Sequence, residues 1–431
     1  MSELETTGTR LRGLKAFARS VSLSNPERKR PCPNCTKIAR IFKPQPRIAR
    51  IVHPHKIHHW IASLAEFRNQ TNCPTCLNVV QCLQKQVSGD SRYVNIWFVR
   101  YRWKLYVNIV SLDLTPVGPH KEHSVVGVAF DCLDRDWIDV KRVKEWAKFC
   151  DESHSGVCHS ITDPWWTFQR PEQLYLIGVT RRCLVRGQEM DQYVALSYVW
   201  GDLLAPFQTD MYNFNALCQD GAFDIPANKC RLPKTIQDSM VLAGLLGKKL
   251  WVDRFCIVQD DLKHKPKMLK SMASVYANAY LTIVARDGSD DEFGLRGIAT
   301  NTPRKSPFRF FDFGPDCQLI TTVDPVNQTY KYDTRAWTFQ EEIISRRKLD
   351  FVHGTVNWTC EKMFSTENMA TPSDVPLRPN THRLNILSYA SLVKDYSKRQ
   401  LSYPEDTLDA FGAITTIASK SMKGGIFYGL L

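Results

Sequence analysis

The sequence predicts an α/β protein built on a parallel sheet flanked by helices, with an α+β N-terminal region and a helical C-terminal extension. Two observations carry this expectation. Short runs rich in aromatic and β-branched residues, Tyr193–Trp200, Leu250–Val258 and Tyr280–Ala285, each stop at polar residues, as buried strands do. Between them lie amphipathic spacings, with Ile236, Met240, Ala243 and Leu246 in one and Met268, Leu269, Met272, Val275, Tyr276 and Ala279 in the next. Strands that alternate with helices pair in parallel through crossovers. At 431 residues, with 43% hydrophobic and 11% aromatic content, the chain has apolar surface for two or three cored domains.

The elements are expected in the following order. Residues 1–30 form a basic, disordered arm with a short helix near Leu11–Val21. Residues 1–60 carry thirteen Lys and Arg against three acids, so most of the net charge of +13 sits there. Residues 31–90 are Cys/His-rich. Cys32-Pro-Asn-Cys35 and Cys73-Pro-Thr-Cys76 are two turns that can aim four thiolates at one centre, a candidate structural zinc site. Reduced cysteines packing beside short helices is the other reading, and His53, His55, His58 and His59 are spare ligands.

Residues 91–185 form an α+β lead-in. Tyr93–Leu112 reads as a β-hairpin and Asp136–His154 as an amphipathic helix burying Trp137, Val140, Val143, Trp146, Ala147 and Cys150. Cys150, His154 and Cys158 recur every four residues; three soft ligands are one short of a metal site, so packing is the expected role. Leu174–Leu184 is expected to be one strand.

The principal α/β domain is expected at 190–352. Pro233 opens its first helix and Gly247 closes it. Residues 288–330 read as a long irregular insertion. Asp333–Arg347 then reads as a helix that carries Trp337, Glu341 and Glu342, ends on Arg346, Arg347 and Lys348, and turns into a strand at Leu349. Trp337 and Glu341 are four residues apart, which places an indole and a carboxylate on one helical face as a pocket wall. Residues 353–431 form a C-terminal extension.

In parallel sheets, ligands gather at the carboxyl ends of the strands. Ser197, Trp200, Gly201, Asp202, Asp253, Gln259 and Asp287 are expected there. Dinucleotide-binding Gly-x-Gly-x-x-Gly, phosphate-loop, nucleophile-elbow, His-Glu-x-x-His and base-deaminase signatures are absent from the sequence. No apolar run has the length of a membrane span and no secretory segment opens the chain, so a cytoplasmic location is expected, with the fourteen cysteines held as thiols.

Five blocks, in order, resemble the motifs of the fungal heterokaryon-incompatibility (HET) domain: Tyr193–Asp202, Leu232–Asp238, Leu250–Asp261, Met272–Ala279 and Arg335–Glu342. The Trp146/Cys150/His154/Cys158 helix resembles the family's lead-in. Tyr396–Arg399 with Pro404–Phe411 resembles its C-terminal extension, which is expected to be shortened here. The resemblance implies a fungal non-self recognition effector that promotes growth arrest or programmed cell death, with an incompatibility partner protein and homotypic self-association.

HET domains are distantly similar to flavodoxin-like TIR domains, some of which cleave NAD with a helix-borne glutamate four residues after a Trp. That implies NAD as a substrate, Glu341 or Glu342 as the catalytic carboxylate, and Ser197, Trp200, Asp202, Asp253 and Trp337 as ligand-binding residues. The alternative is a non-enzymatic signalling or self-assembly module. Nucleic-acid binding through the basic N-terminal region is the weakest reading.

Overall fold

A computed structural model of the chain describes residues 31–41, 57–84, 94–99, 102–107, 110–117, 134–154, 157–158, 168–201, 205–299, 302–304, 308–314, 317–322, 329–367 and 384–422. The expected basic arm and its helix, His53, His55 and Asp202 lie outside these residues. The first strands are β1 (Ile57–Ala62), β2 (Val94–Val99), β3 (Arg102–Val107), β4 (Val110–Val117), β5 (Tyr175–Gly178), β6 (Cys183–Arg186) and β7 (Tyr193–Ser197). The rest are β8 (Lys249–Trp251), β9 (Leu281–Ala285), β10 (Phe308–Gly314), β11 (Cys317–Thr322), β12 (Lys348–Val352), β13 (Thr355–Thr359) and β14 (Phe364–Thr366).

The chain divides into two compact units, Met1–Pro116 with Phe310–Ile320, and Val117–Arg309 with Thr321–Leu431. The first unit is organised by a six-stranded sheet in the order β1-β2-β3-β4-β11-β10. The hairpin expected at Tyr93–Leu112 is β2–β3, extended by β4 in antiparallel register. Helices Pro33–Ile41 and Pro74–Gln84 begin beside the two Cys-Pro-x-Cys turns, and Cys35, Ile38, Phe67, Cys76, Val79, Phe311 and Phe313 form one apolar core. Strands β10 and β11 correct the reading of residues 288–330 as irregular: Phe308-Arg-Phe-Phe-Asp-Phe supplies aromatics at alternating positions, and Phe311 and Phe313 are buried.

The second unit holds an eight-stranded sheet in the order β14-β13-β12-β9-β7-β8-β5-β6. Strands β12, β9, β7 and β8 pair in parallel. Hairpins flank them on both sides, so the sheet is mixed, with four of its seven pairings antiparallel. The expected parallel sheet is thus the centre of a mixed one. His353 and Gly354 both adopt positive φ (55° and 66°), a two-residue turn of the hand that matches strand twist, and so β12 folds straight back as β13. The single strand expected at Leu174–Leu184 breaks at Gly178 and returns as β6, with Arg182 at φ 54° in the turn.

Two further boundaries move. The strand expected over Leu250–Val258 is only three residues long; the chain then coils into a helical turn, Asp253–Cys256. Val252, Phe255 and Cys256 are all buried, and their spacing of three and four is helical. The expected Asp333–Arg347 helix is a Lys331–Thr334 turn, an extended Arg335, and a helix from Ala336 to Ile344. Arg346 and Arg347 follow it and Lys348 starts β12, all three buried rather than solvated around a helix end. The C-terminal extension is helical at Ile386–Tyr396 and Gly412–Ser421. It packs on the Ala336–Ile344 helix through Phe339, Tyr396 and Phe411, and Gln340 accepts the Ala413 N–H at 2.8 Å.

Candidate functional site

Because β8, β7, β9 and β12 are parallel, their carboxyl ends share one edge of the sheet. Ser197 ends β7, Asp253 stands two residues past the end of β8, and Asp287 two past the end of β9. Gly201, past the end of β7, has φ 81°, and a Cβ there would approach Asp290 Cβ to 3.1 Å, so the chain needs a glycine to leave the sheet this way.

Ser197 is fully buried, and its hydroxyl lies 2.7 Å from the Tyr332 hydroxyl while donating to Glu341 Oε2. Tyr276 also hydrogen-bonds Glu341 and donates its own hydroxyl to the Leu196 carbonyl at 3.0 Å. Glu341 is 5% exposed. Burial, followed by the negative field of Asp253, pushes its carboxyl up to about 7, against opposing help from Ser197, Tyr276 and the Arg335 charge. Asp253 is half-buried and also raised, chiefly by loss of solvent. Its Oδ2 accepts the Trp200 indole N–H at 2.8 Å and its Oδ1 the Arg254 N–H at 2.8 Å.

Arg254 fixes the other side of Trp200. Its guanidinium lies over the indole at 4.6 Å, donates to the Trp200 carbonyl at 3.0 Å, and pairs with Asp291 at 2.5 Å. Gln259 donates to the Asp253 carbonyl at 2.9 Å. The result is a half-buried indole and carboxylate in front of a buried glutamate, with Arg335 close enough for its charge to act on both acids.

Glu342 faces elsewhere. It pairs with Arg286 at 2.9 Å and Lys348 at 2.6 Å. Arg286 also holds Asp350 at 2.9 Å and Asp333, and lies 4.9 Å from the Tyr332 ring centroid. Two cations neutralise Glu342, whereas Glu341 is surrounded by hydroxyls and another acid. The expected Trp337–Glu341 wall is replaced: the Trp337 indole turns to Asp406 in the C-terminal extension, donating at 3.2 Å, and Trp200 supplies the aromatic surface beside the acids. Asp287 is engaged by the N–H groups of His353 and Gly354, both at 2.7 Å, and shapes the β12–β13 turn. Sequence reasoning missed Tyr332, Tyr276, Arg335 and Arg254. Each lies inside a recognised block or just before one, but their polar atoms gained a role only when β7, β8 and the two helices converged.

Two other groups of side chains are arranged so that each could hold a metal ion. Cys32, Cys35, Cys73 and Cys76 bring their sulfurs within 4.8 Å of one another. The sulfurs of Cys32 and Cys76 lie 3.4 Å apart, those of Cys35 and Cys73 3.6 Å, and those of Cys35 and Cys76 3.8 Å. Tetrahedral zinc with Zn–S bonds of about 2.3 Å separates its sulfurs by about 3.8 Å, so the donor set fits. The second group joins Cys150, His154 and Cys158 to Cys360, a residue that spacing alone could not supply. Among the described residues, no helix is long and apolar enough to cross a membrane.

Residues 193–341 match the family model described as Heterokaryon incompatibility protein (HET). The chain therefore carries a HET domain, and the matched segment runs from the first residue of β7 to Glu341. Heterokaryon incompatibility protein 6, OR allele, of Neurospora crassa is 30% identical over 96 residues, covering 21% of this chain. The chain matches only 14% of that relative's length. No solved structure matches the chain significantly.

Proposed function

We propose that this protein is a fungal non-self recognition effector of the heterokaryon-incompatibility type, which promotes growth arrest or programmed cell death in response to an incompatibility partner protein. The observation that carries the reading is the HET match itself, whose two ends, β7 and Glu341, meet in the Ser197–Glu341 hydrogen bond. The protein acts in the cytoplasm and self-associates, the Cys32/Cys35/Cys73/Cys76 group holds a structural zinc, and nucleic acid is not its target.

The chemistry we propose is TIR-like NAD hydrolysis. The nicotinamide–ribose C–N bond breaks with its electron pair leaving on nicotinamide. Water adds its oxygen to the ribose carbon and releases one proton. A carboxylate beside the ribose stabilises the positive charge that develops as the bond breaks. Glu341 is the better candidate than Glu342, since a carboxyl raised to about 7 exchanges its proton near neutrality while Glu342 is committed to Arg286 and Lys348. Asp253, Trp200 and Ser197 are the ligand residues of this reading, together with Asp202.

The burial of Glu341 favours a second reading. A carboxyl already held by Ser197 and Tyr276 also suits a strut that fixes the helix to the sheet, in a module that signals by assembly alone. Controlled expression in a fungal host separates the two. Enzymatic action predicts growth arrest by the wild type and none by the Glu341→Gln, Glu342→Gln double variant at equal protein level. Undiminished killing by the double variant would overturn the NAD reading and leave the assembly reading standing.

A further inference from the structure

The lead-in helix Val140–Ser153 starts at Asp139, whose carboxylate caps the Lys141 and Arg142 N–H groups. It buries Val143, Trp146, Ala147 and Cys150, and its end carries His154 as the cap residue. Cys158 then arrives through a single turn, with its N–H bonded to the His154 carbonyl at 2.9 Å. Spacing by four thus delivers three soft donors to one place. The fourth comes from Cys360, which directly follows β13 and lies two hundred residues further along the chain. All four donor atoms fall within 4.8 Å of one another, and His154 Nδ1 is 3.6 Å from Cys360 Sγ. Tetrahedral zinc with Zn–S of about 2.3 Å and Zn–N of about 2.0 Å sets S···N at about 3.5 Å.

From the convergence of Cys150, His154, Cys158 and Cys360 we infer that the second unit holds its own structural zinc ion in a Cys₃His site, distinct from the four-cysteine group of the first unit. The three cysteines are buried, at 0%, 4% and 2% exposure, and His154 is half-buried. That closed, four-donor set is the pattern of a structural site. Two sulfurs also have backbone partners: the Glu361 backbone hydrogen-bonds Cys158 and the Lys362 backbone hydrogen-bonds Cys360.

Charge points the same way. Zinc with three thiolates and a neutral imidazole carries one net negative charge. The buried Arg347 guanidinium acts electrostatically on Cys150, and Asp151, its ion-pair partner at 2.7 Å, is more than a third exposed. Arg347 Nη2 has no hydrogen-bond partner among the described residues. The guanidinium also lies 5.1 Å from the Tyr280 ring centroid, and an anionic zinc centre would add to the compensation of its charge. Because Cys360 directly follows β13, the ion would clamp the lead-in helix to the β12–β13 hairpin.

The test is metal stoichiometry on the full chain purified without chelator, with cobalt(II) as a spectroscopic substitute for zinc. The wild type is expected to hold about two zinc ions, and the Cys73→Ser, Cys76→Ser double variant about one. That double variant loaded with cobalt should show tetrahedral ligand-field bands with thiolate charge transfer. Adding Cys360→Ser should abolish them, while adding His154→Cys should preserve a bound metal. The inference is overturned if the wild type binds a single zinc that the double variant loses, if Cys360→Ser leaves the stoichiometry unchanged, or if mass spectrometry finds Cys150, Cys158 or Cys360 in a disulfide. The wild-type count and the double variant's spectrum decide the question even where Cys360→Ser does not fold.

Discussion

Ser197, the last residue of a buried parallel strand, donates its hydroxyl to Glu341, a helix residue 144 positions later, and so joins the two ends of the HET segment through one hydrogen bond. Asp253, which holds the half-buried Trp200 indole, is close enough for its charge to act on Glu341. An acid that is buried, hydroxyl-bound and next to another acid has consequences that can be measured.

The first is a pH dependence of stability. The folded state holds the Glu341 proton up to about pH 7, while the unfolded chain releases it near 4.5, the ordinary value for a glutamate. Between those values the folded state binds more protons, so stability falls as pH rises, and the contribution is fully lost above about 7. A shift of this size corresponds to roughly 3 kcal/mol. Glu341→Gln removes the group. Its stability relative to wild type, read from urea unfolding, should therefore improve between pH 5 and pH 8; an unchanged difference would contradict the burial argument.

Ser197→Ala deletes one partner of a buried carboxyl and leaves the Tyr332 hydroxyl without its 2.7 Å contact. A loss of about 1–3 kcal/mol in unfolding free energy is expected. Glu341 should also titrate higher than in the wild type, as followed by carboxyl infrared absorption or carbon NMR.

Arg286 gathers Asp333, Glu342 and Asp350 around one guanidinium. Arg286→Ala strands acids in a poorly solvated place and should cost about 3–5 kcal/mol. Glu342→Gln leaves Arg286 with its other two acids and should cost less. Equal losses in thermal or urea unfolding would show that the network is not organised around the arginine.

The two tryptophans have different work. Trp337→Phe keeps an aromatic ring but removes the hydrogen bond to Asp406 and part of the indole's packing, for a cost of about 1–3 kcal/mol with function in the host preserved. Trp200→Phe removes the indole N–H from Asp253 and alters the surface beside the acids. It should reduce growth arrest at equal protein level, and reversal of that order would return Trp337 to the site.

Much of the fold is legible in the sequence. The runs at Tyr193 and Leu281 are buried on both faces and read as continuous apolar strands, which is how central parallel strands are recognised. The antiparallel flanks were not legible in the same way. The Gly178 and His353-Gly354 turns make local hairpins that a strand–helix alternation does not reveal. Leu250–Val258 was misread because one stretch contains both a strand and the three/four spacing of a helical turn. For the site, Ser197 and Glu341 were named from their positions, but Trp337 was placed by helical spacing on the wrong side of the story: Asp406, 69 residues away, decides where its indole points. Cys360 was invisible for the same reason, since a ligand delivered by a distant strand end leaves no spacing to read.

The central claim is that Glu341 is the working carboxylate, and nicotinamide release from NAD by the purified full chain, at concentrations that allow self-association, tests it most directly. The account predicts a release rate that rises with pH through about 7 as Glu341 loses its proton, falls roughly 100-fold or more in Glu341→Gln, and largely survives in Glu342→Gln. Release that is undiminished in Glu341→Gln, or absent from a folded and self-associated wild type, would contradict it.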